Sequence, residues 1–133
     1  MLDHIFLTVG DIARSIAFYT RILAPLGITQ RVDYDGKDGP PGHPDLKGFG
    51  AHGRMFFWLR SGPSSQGSVH VGFVASSEAM VRAAHAAALA AGATEIHPPG
   101  AQLHYDSRYY SAQVSDPDGH SLEFVYKDWQ HQP

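Results

Sequence analysis

One pattern is written twice in this chain. An alternating segment containing a histidine opens at 3–9 (DHIFLTV) and recurs at 69–75 (VHVGFVA). Each is followed by a helical pattern, the first ending near Gly27 and the second at Gly92. A repeat of this length constrains architecture more than any single residue, because each copy must be one supersecondary unit. His4 and His70 fall at matching points of the two copies. Pseudo-symmetry is therefore expected to bring them to matching places around one cleft.

In the first copy, alternation puts His4, Phe6 and Thr8 on one face of a strand and Ile5, Leu7 and Val9 on the other. The aliphatic face suits a core, which leaves the histidine face for a cleft. Asp11 is placed to cap the following helix, and Ile12, Ile16, Tyr19 and Leu23 recur as its buried stripe. Pro25 and Gly27 end it. The stretch 33–53 is dense in Gly and Pro and reads as a long loop, broken by a short strand at 46–49. The RMFFWLR segment at 54–60 reads as a strand, because successive aromatics suit a buried pleated surface.

The segment 62–67 is a Gly/Pro/Ser linker between copies. In the second copy His70, Gly72 and Val74 share a face. Ser76 or Ser77 caps an alanine-rich helix that closes at Gly92. A short strand with a Pro-Pro turn is expected at 95–100. Strands at 109–115 and 120–126 are joined by Asp116-Pro117-Asp118-Gly119, a hairpin signal in which Pro presets the turn and Gly takes the left-handed position. Each copy reads β-α-β-β-β, an α+β protein. The expectation is a single domain over 1–133, with module one at about 1–62, module two at about 67–127, and a patternless, mobile tail.

The charge balance is −3 and the charges are scattered, which gives no nucleic-acid footprint. Cysteine is absent, so disulfides, thiolate metal sites and cysteine nucleophiles are all excluded. No apolar run approaches the roughly 20 residues of a membrane span. The expectation is a soluble cytoplasmic protein with neither nucleic acid nor membrane as partner.

Glu123 lies in an otherwise apolar last strand, where an unpaired carboxylate is expensive to bury. Two imidazoles and a carboxylate from inward faces suit a divalent ion, with Fe, Mn, Zn, Ni and Co all admissible. His4, His70 and Glu123 are the expected metal ligands. The stretch 103–110 is rich in groups that carry protons: His104 and Tyr110 are candidate acid/base residues, and Arg108 could hold a substrate carboxylate. Phe6, Phe57 and Trp58 are candidate walls of an apolar pocket. His52 is noted as a loop histidine that could swing over the metal.

The His4 strand with its DIARSIAFYTRILAPLG helix, the His70 strand and the closing DPDGHSLEF resemble the vicinal-oxygen-chelate superfamily. That family includes glyoxalase I, fosfomycin and bleomycin resistance proteins and type I extradiol dioxygenases. The resemblance runs from Leu2 to about Tyr126. It implies paired modules curled into a mixed half-barrel around a metal, and a homodimer, often with modules paired across chains. It also implies a small substrate chelated through neighbouring oxygens, with lysis, isomerisation, thiol transfer or ring cleavage as the chemistry. Glyoxalase I carries a fourth ligand on the last strand of module one. By repeat spacing its counterpart here is Phe57 or Trp58, which cannot bind a hard cation, so authentic glyoxalase I activity is not expected. The alternative function is metal-free sequestration of a small molecule, as in bleomycin resistance proteins.

Overall fold

The computed structural model describes residues 1–64 and 69–131. The first copy folds as β1 (Ile5–Val9), α1 (Ile12–Leu23), β2 (Gln30–Tyr34), β3 (Leu46–Ala51) and β4 (Arg54–Ser61). The second folds as β5 (His70–Val74), α2 (Glu78–Ala90), β6 (Thr94–Ala101), β7 (Tyr109–Ser115) and β8 (Ser121–Lys127), followed by a short α3 (Asp128–His131). The wiring is the same in both. One sheet has the order β1-β4-β3-β2 and the other β5-β8-β7-β6, each with one parallel pair, β1 with β4 and β5 with β8. The expected curled half-barrel is thus two four-stranded mixed sheets within this chain, with no closed barrel.

Four local expectations need correction or a limit. The long loop shrinks to 35–45 because β3 extends to Ala51, with Asp35 and Asp45 accepting backbone N–H groups that hold a 3-10 turn at Gly36–Asp38. The Pro-Pro turn at 95–100 is instead part of β6, which carries register shifts between Glu95 and Gly100. This strand lies at the edge of its sheet, where a missing proline N–H breaks no ladder. The expected mobile tail begins with α3, and its last two positions lie outside the described residues. The 62–67 linker falls partly on 65–68, also outside them.

Asp11 and Ser77 cap the two helices, accepting from the N–H groups of Arg14 and Met80. The buried stripe of α1 is Ser15, Phe18, Tyr19, Ile22 and Leu23, rotated from the expected line to include Phe18. Small residues on α2 (Ala84 and Ala88, fully buried) let it sit close to its sheet. One core joins the copies. Tyr19 meets Phe57 at 4.9 Å, Phe57 meets Phe73 at 5.2 Å, and Phe73 meets Phe124 at 6.4 Å between ring centroids. Each fully buried aromatic of this kind is worth about 1.5–3 kcal/mol of transfer free energy. Among the described residues, no helix is long and apolar enough to cross a membrane.

The seam between the copies fixes where each histidine goes. At its C-terminal end β1 is tied to the β7–β8 turn. The Gly10 N–H donates to Asp118 Oδ1 at 2.8 Å, and His120 Nε2 donates to the Thr8 carbonyl at 2.8 Å. That turn leads into Ser121, which pairs with His70 at the start of β5. At its other end, His4 and Ile5 line a cavity of about 520 Å³ together with Val71, Phe73 and Val74 of β5. The two edge strands therefore run in opposite senses along the seam. His4 stands at one end and His70 at the other.

Candidate metal-binding half-sites

Alternation along β5, β8 and β7 sends one set of side chains to the face of the sheet away from α2. Register places Gly72 beside Glu123, Glu123 beside Gln113, and His70 beside Ser121. Gly72 offers no side chain over Glu123, and a Cβ built there would meet only Val125 Cγ2 at 4.0 Å. The His70 ring leans across this space, with Nε2 3.0 Å from Glu123 Oε1. The other carboxylate oxygen, Oε2, accepts the Tyr109 hydroxyl at 2.7 Å. His70 Nδ1 lies 2.7 Å from Ser121 Oγ, which also accepts from Gln113 Nε2 at 2.7 Å.

The electrostatics are asymmetric. The Glu123 side chain is 11% exposed and that of His70 is 48% exposed. A nearly buried carboxylate thus sits beside an accessible imidazole. The Tyr109 phenol is raised well above its ordinary value, first by burial and then by its hydrogen bond to Glu123.

The pair fits a divalent cation. Two ligand atoms bound at about 2.0–2.2 Å and at right angles around one ion lie about 3 Å apart. Nε2 and Oε1 already have that spacing. With Nε2 offering its lone pair, Nδ1–H donates to Ser121 Oγ, the outer contact that orients a ligating imidazole. Among the described residues, no three His, Asp or Glu side chains gather within the chain.

His4 is elsewhere. Its Nδ1 contacts Asp3 Oδ1 at 2.5 Å, and this bond, followed by the His4 charge, lowers the Asp3 carboxyl. Its ring stands edge-on to Phe6 at 5.3 Å. In the β1–β4 register Phe6 pairs with Trp58, just as Gly72 pairs with Glu123. The module-one counterpart of Glu123 is therefore Trp58. Phe6 and Trp58 lie 6.3 Å apart, and Gly48 leaves the space that the indole fills. His4, Phe6 and Trp58 form an apolar half-site with one imidazole; His70 and Glu123 form the charged half.

The remaining candidates divide. Phe57 belongs to the core and forms part of the cavity wall, which His52 and Arg54 also line. His52 sits in the β3–β4 turn at φ 53°, next to Gly53 at φ 78°, and the turn is anchored by Gln30 accepting the Gly53 N–H. The His104 ring packs at a tilt against Tyr105 at 4.1 Å, and Tyr105 against Tyr109 at 5.0 Å, so His104 is joined to the Glu123 neighbourhood through two rings. Arg108 is engaged: its Nε and Nη2 meet the two oxygens of Asp106, each at 3.1 Å, and its guanidinium lies 4.3 Å from the Trp129 ring. Tyr110 is out of phase with the site. Its hydroxyl meets Arg82 of α2 at 3.3 Å, on the face that packs the helix. Tyr109, Ser121 and Gln113 were missed in sequence, although the alternation of β7 in phase with Glu123 would have found Tyr109 and Gln113.

A family model described as Glyoxalase/Bleomycin resistance protein/Dioxygenase superfamily matches residues 1–124. A glyoxalase/bleomycin resistance protein from Albidiferax ferrireducens T118 is 26% identical, with a TM-score of 0.79, covering 95% of this chain and 98% of that one. The genomically encoded fosfomycin resistance protein FosX from Listeria monocytogenes is 20% identical, with a TM-score of 0.67 and coverage of 95% and 92%. A variant of that protein, complexed with Mn(II) and 1S,2S-dihydroxypropylphosphonic acid, superposes with a TM-score of 0.66 at 20% identity, covering 94% and 88%. No curated protein matches the chain.

Proposed function

The chain belongs to the Glyoxalase/Bleomycin resistance protein/Dioxygenase superfamily, and on that footing we propose that it is an enzyme whose divalent cation is held by His70 and Glu123 of one chain and His4 of a second copy. The observation that carries this reading is the His70–Glu123 pair at 3.0 Å, with both outer contacts in place. A two-fold pairing of chains would lay the open face of one module-one sheet over the module-two sheet of the other. Exposed Phe6 and Val74, at 42% and 54%, lie on those faces, and burying them favours the pairing. The Mn(II) held by the Listeria relative's variant is consistent with a cation at this position.

The cation supplies Lewis acidity to neighbouring oxygens of a small substrate. His70 and Glu123 position it and partly neutralise its charge. Phe6 and Trp58 of the facing chain form an apolar roof that limits water access. His104, reached through the Tyr105 ring, is the proposed proton donor or acceptor at the substrate. Trp58 in place of a fourth ligand removes the base a proton-shuttling isomerase needs, which leaves lysis, thiol or water addition and ring cleavage as the favoured classes. Fe, Mn, Zn, Ni and Co all suit the ligand set.

The 520 Å³ cavity favours a second reading, a metal-free binder, because its wall is mostly apolar and its size suits a small molecule. One experiment separates the two. Purified protein is titrated with Mn(II), Zn(II), Co(II) and Fe(II) while its melting temperature is followed, and metal content is measured. A ligand of the folded state must raise that temperature. About one bound ion per chain, lost in His70→Ala and in Glu123→Ala, supports the enzyme; no shift with any ion overturns it in favour of the binder.

A further inference from the structure

We propose that the Tyr109 phenol restricts Glu123 to a single cation-binding oxygen and thereby sets how many positions stay open to substrate. The inference rests on the proposed ligand set, His70 and Glu123 of one chain with His4 of a second copy. Glu123 sits on β8, between β5 on one side and β7 on the other. Its two oxygens are divided accordingly: Oε1 turns to His70 on β5, and Oε2 to Tyr109 on β7. A cation beside His70 Nε2 is on the Oε1 side. For both oxygens to chelate it, the carboxylate would have to turn from β7 toward β5 and strain a 2.7 Å hydrogen bond to a carboxylate, a charge-assisted contact of the stronger kind.

The phenol is itself held in place. Tyr105 packs on the Tyr109 ring at 5.0 Å, and the Lys127 ammonium stands 5.6 Å from its centroid. The Tyr105 ring and the Lys127 ammonium thus hold the phenol ring that carries the donor. The consequence is a count. A six-coordinate ion on two imidazoles and one carboxylate oxygen keeps about three positions free, enough for two neighbouring substrate oxygens and one more ligand; a chelating carboxylate would leave about two. Tyr109 is in this sense a positioning residue that acts through Glu123.

The test uses full-length protein loaded with Mn(II) alone. Mn(II) affinity is measured by electron paramagnetic resonance, and the number of bound waters by the relaxation rate of solvent protons. Tyr109→Phe keeps the ring and removes the donor. The expected result is a variant that still binds Mn(II) but whose relaxation enhancement falls by about a third, one water having been displaced by Oε2. An unchanged enhancement overturns the restriction and leaves the ligand assignment standing. No Mn(II) uptake by the wild-type protein overturns the ligand assignment, and the restriction with it. If the variant does not fold, the wild-type count decides: about three waters supports the proposal and about two overturns it.

Discussion

His4 and His70 hold equivalent positions in the two modules and stand at opposite ends of the seam between them. The reason is the pseudo-two-fold itself. An axis relating two strands in opposite senses sends corresponding residues to corresponding places, which are different places. Under the proposed pairing, a second two-fold between chains brings one end over the other.

This relationship predicts complementation. His4→Ala and His70→Ala proteins should each bind no metal at the paired site. When the two are unfolded together and refolded as a mixture, hybrid dimers regain one intact site. About a quarter of the wild-type sites should return for random pairing. Metal content after gel filtration gives the answer, and a mixture that stays metal-free would place all ligands within one chain.

Asp118 joins the copies at the pinned end of the seam. It is nearly buried and accepts the Gly10 N–H at 2.8 Å, with Ser15 Oγ at 3.5 Å. Asp118→Ala leaves the Gly10 donor without its partner and should cost about 1–3 kcal/mol. The half-exposed Arg14, 3.6 Å away, adds little. Urea unfolding should show a lower midpoint with an unchanged slope; an unmoved midpoint would mean the seam is held by packing alone.

Tyr19 predicts an alkaline limit. Its hydroxyl is fully buried and donates to Asp116 Oδ2 at 2.5 Å. Burial, then the Asp116 charge, raises it well above the ordinary 10.0. The unfolded chain releases this proton first, so the stability Tyr19 confers is complete below pH 10 and is lost as pH rises further. Tyr19→Phe should be less stable than wild type by about 1–2 kcal/mol at neutral pH, and the gap should narrow above pH 10. A gap constant across that range in paired melting curves would rule the argument out.

Gly48 is where Trp58 demands space. A Cβ there would come within 2.8 Å of the indole Cζ3. Gly48→Ala should displace the ring at a cost of about 1–3 kcal/mol. With Trp129→Phe as background, leaving Trp58 as the lone tryptophan, the emission maximum should move. An identical spectrum and melting temperature would show that β3 yields instead.

Much of this was legible in the sequence. Alternation and capping located β1, α1, β5, α2 and the β7–β8 hairpin, because in these segments local preference and core packing agree. β3 was harder because Gly48 and Gly50 dilute its strand signal, one to admit Trp58 and the other because a Cβ would strike the Arg54 backbone. The Pro98-Pro99 pair hid the continuation of β6, since a sequence does not say which strand is an edge. Tyr109 and Tyr110 are adjacent and face opposite sides of β7; alternation in phase with Glu123 selects Tyr109, and the pairing of Gln113 with Glu123 fixes that phase. The placing of His4 was not legible, because a repeat reveals equivalence but not the direction of the axis.

The proposed division of ligands between two ends of one molecule also sets an order of events. A nascent chain can complete its core with Glu123 still waiting on its full complement. Under the proposed pairing it must meet a copy of itself before a cation is fully enclosed, so loading is second order in protein. Dilution alone should then release metal that a chelator fails to extract at high concentration.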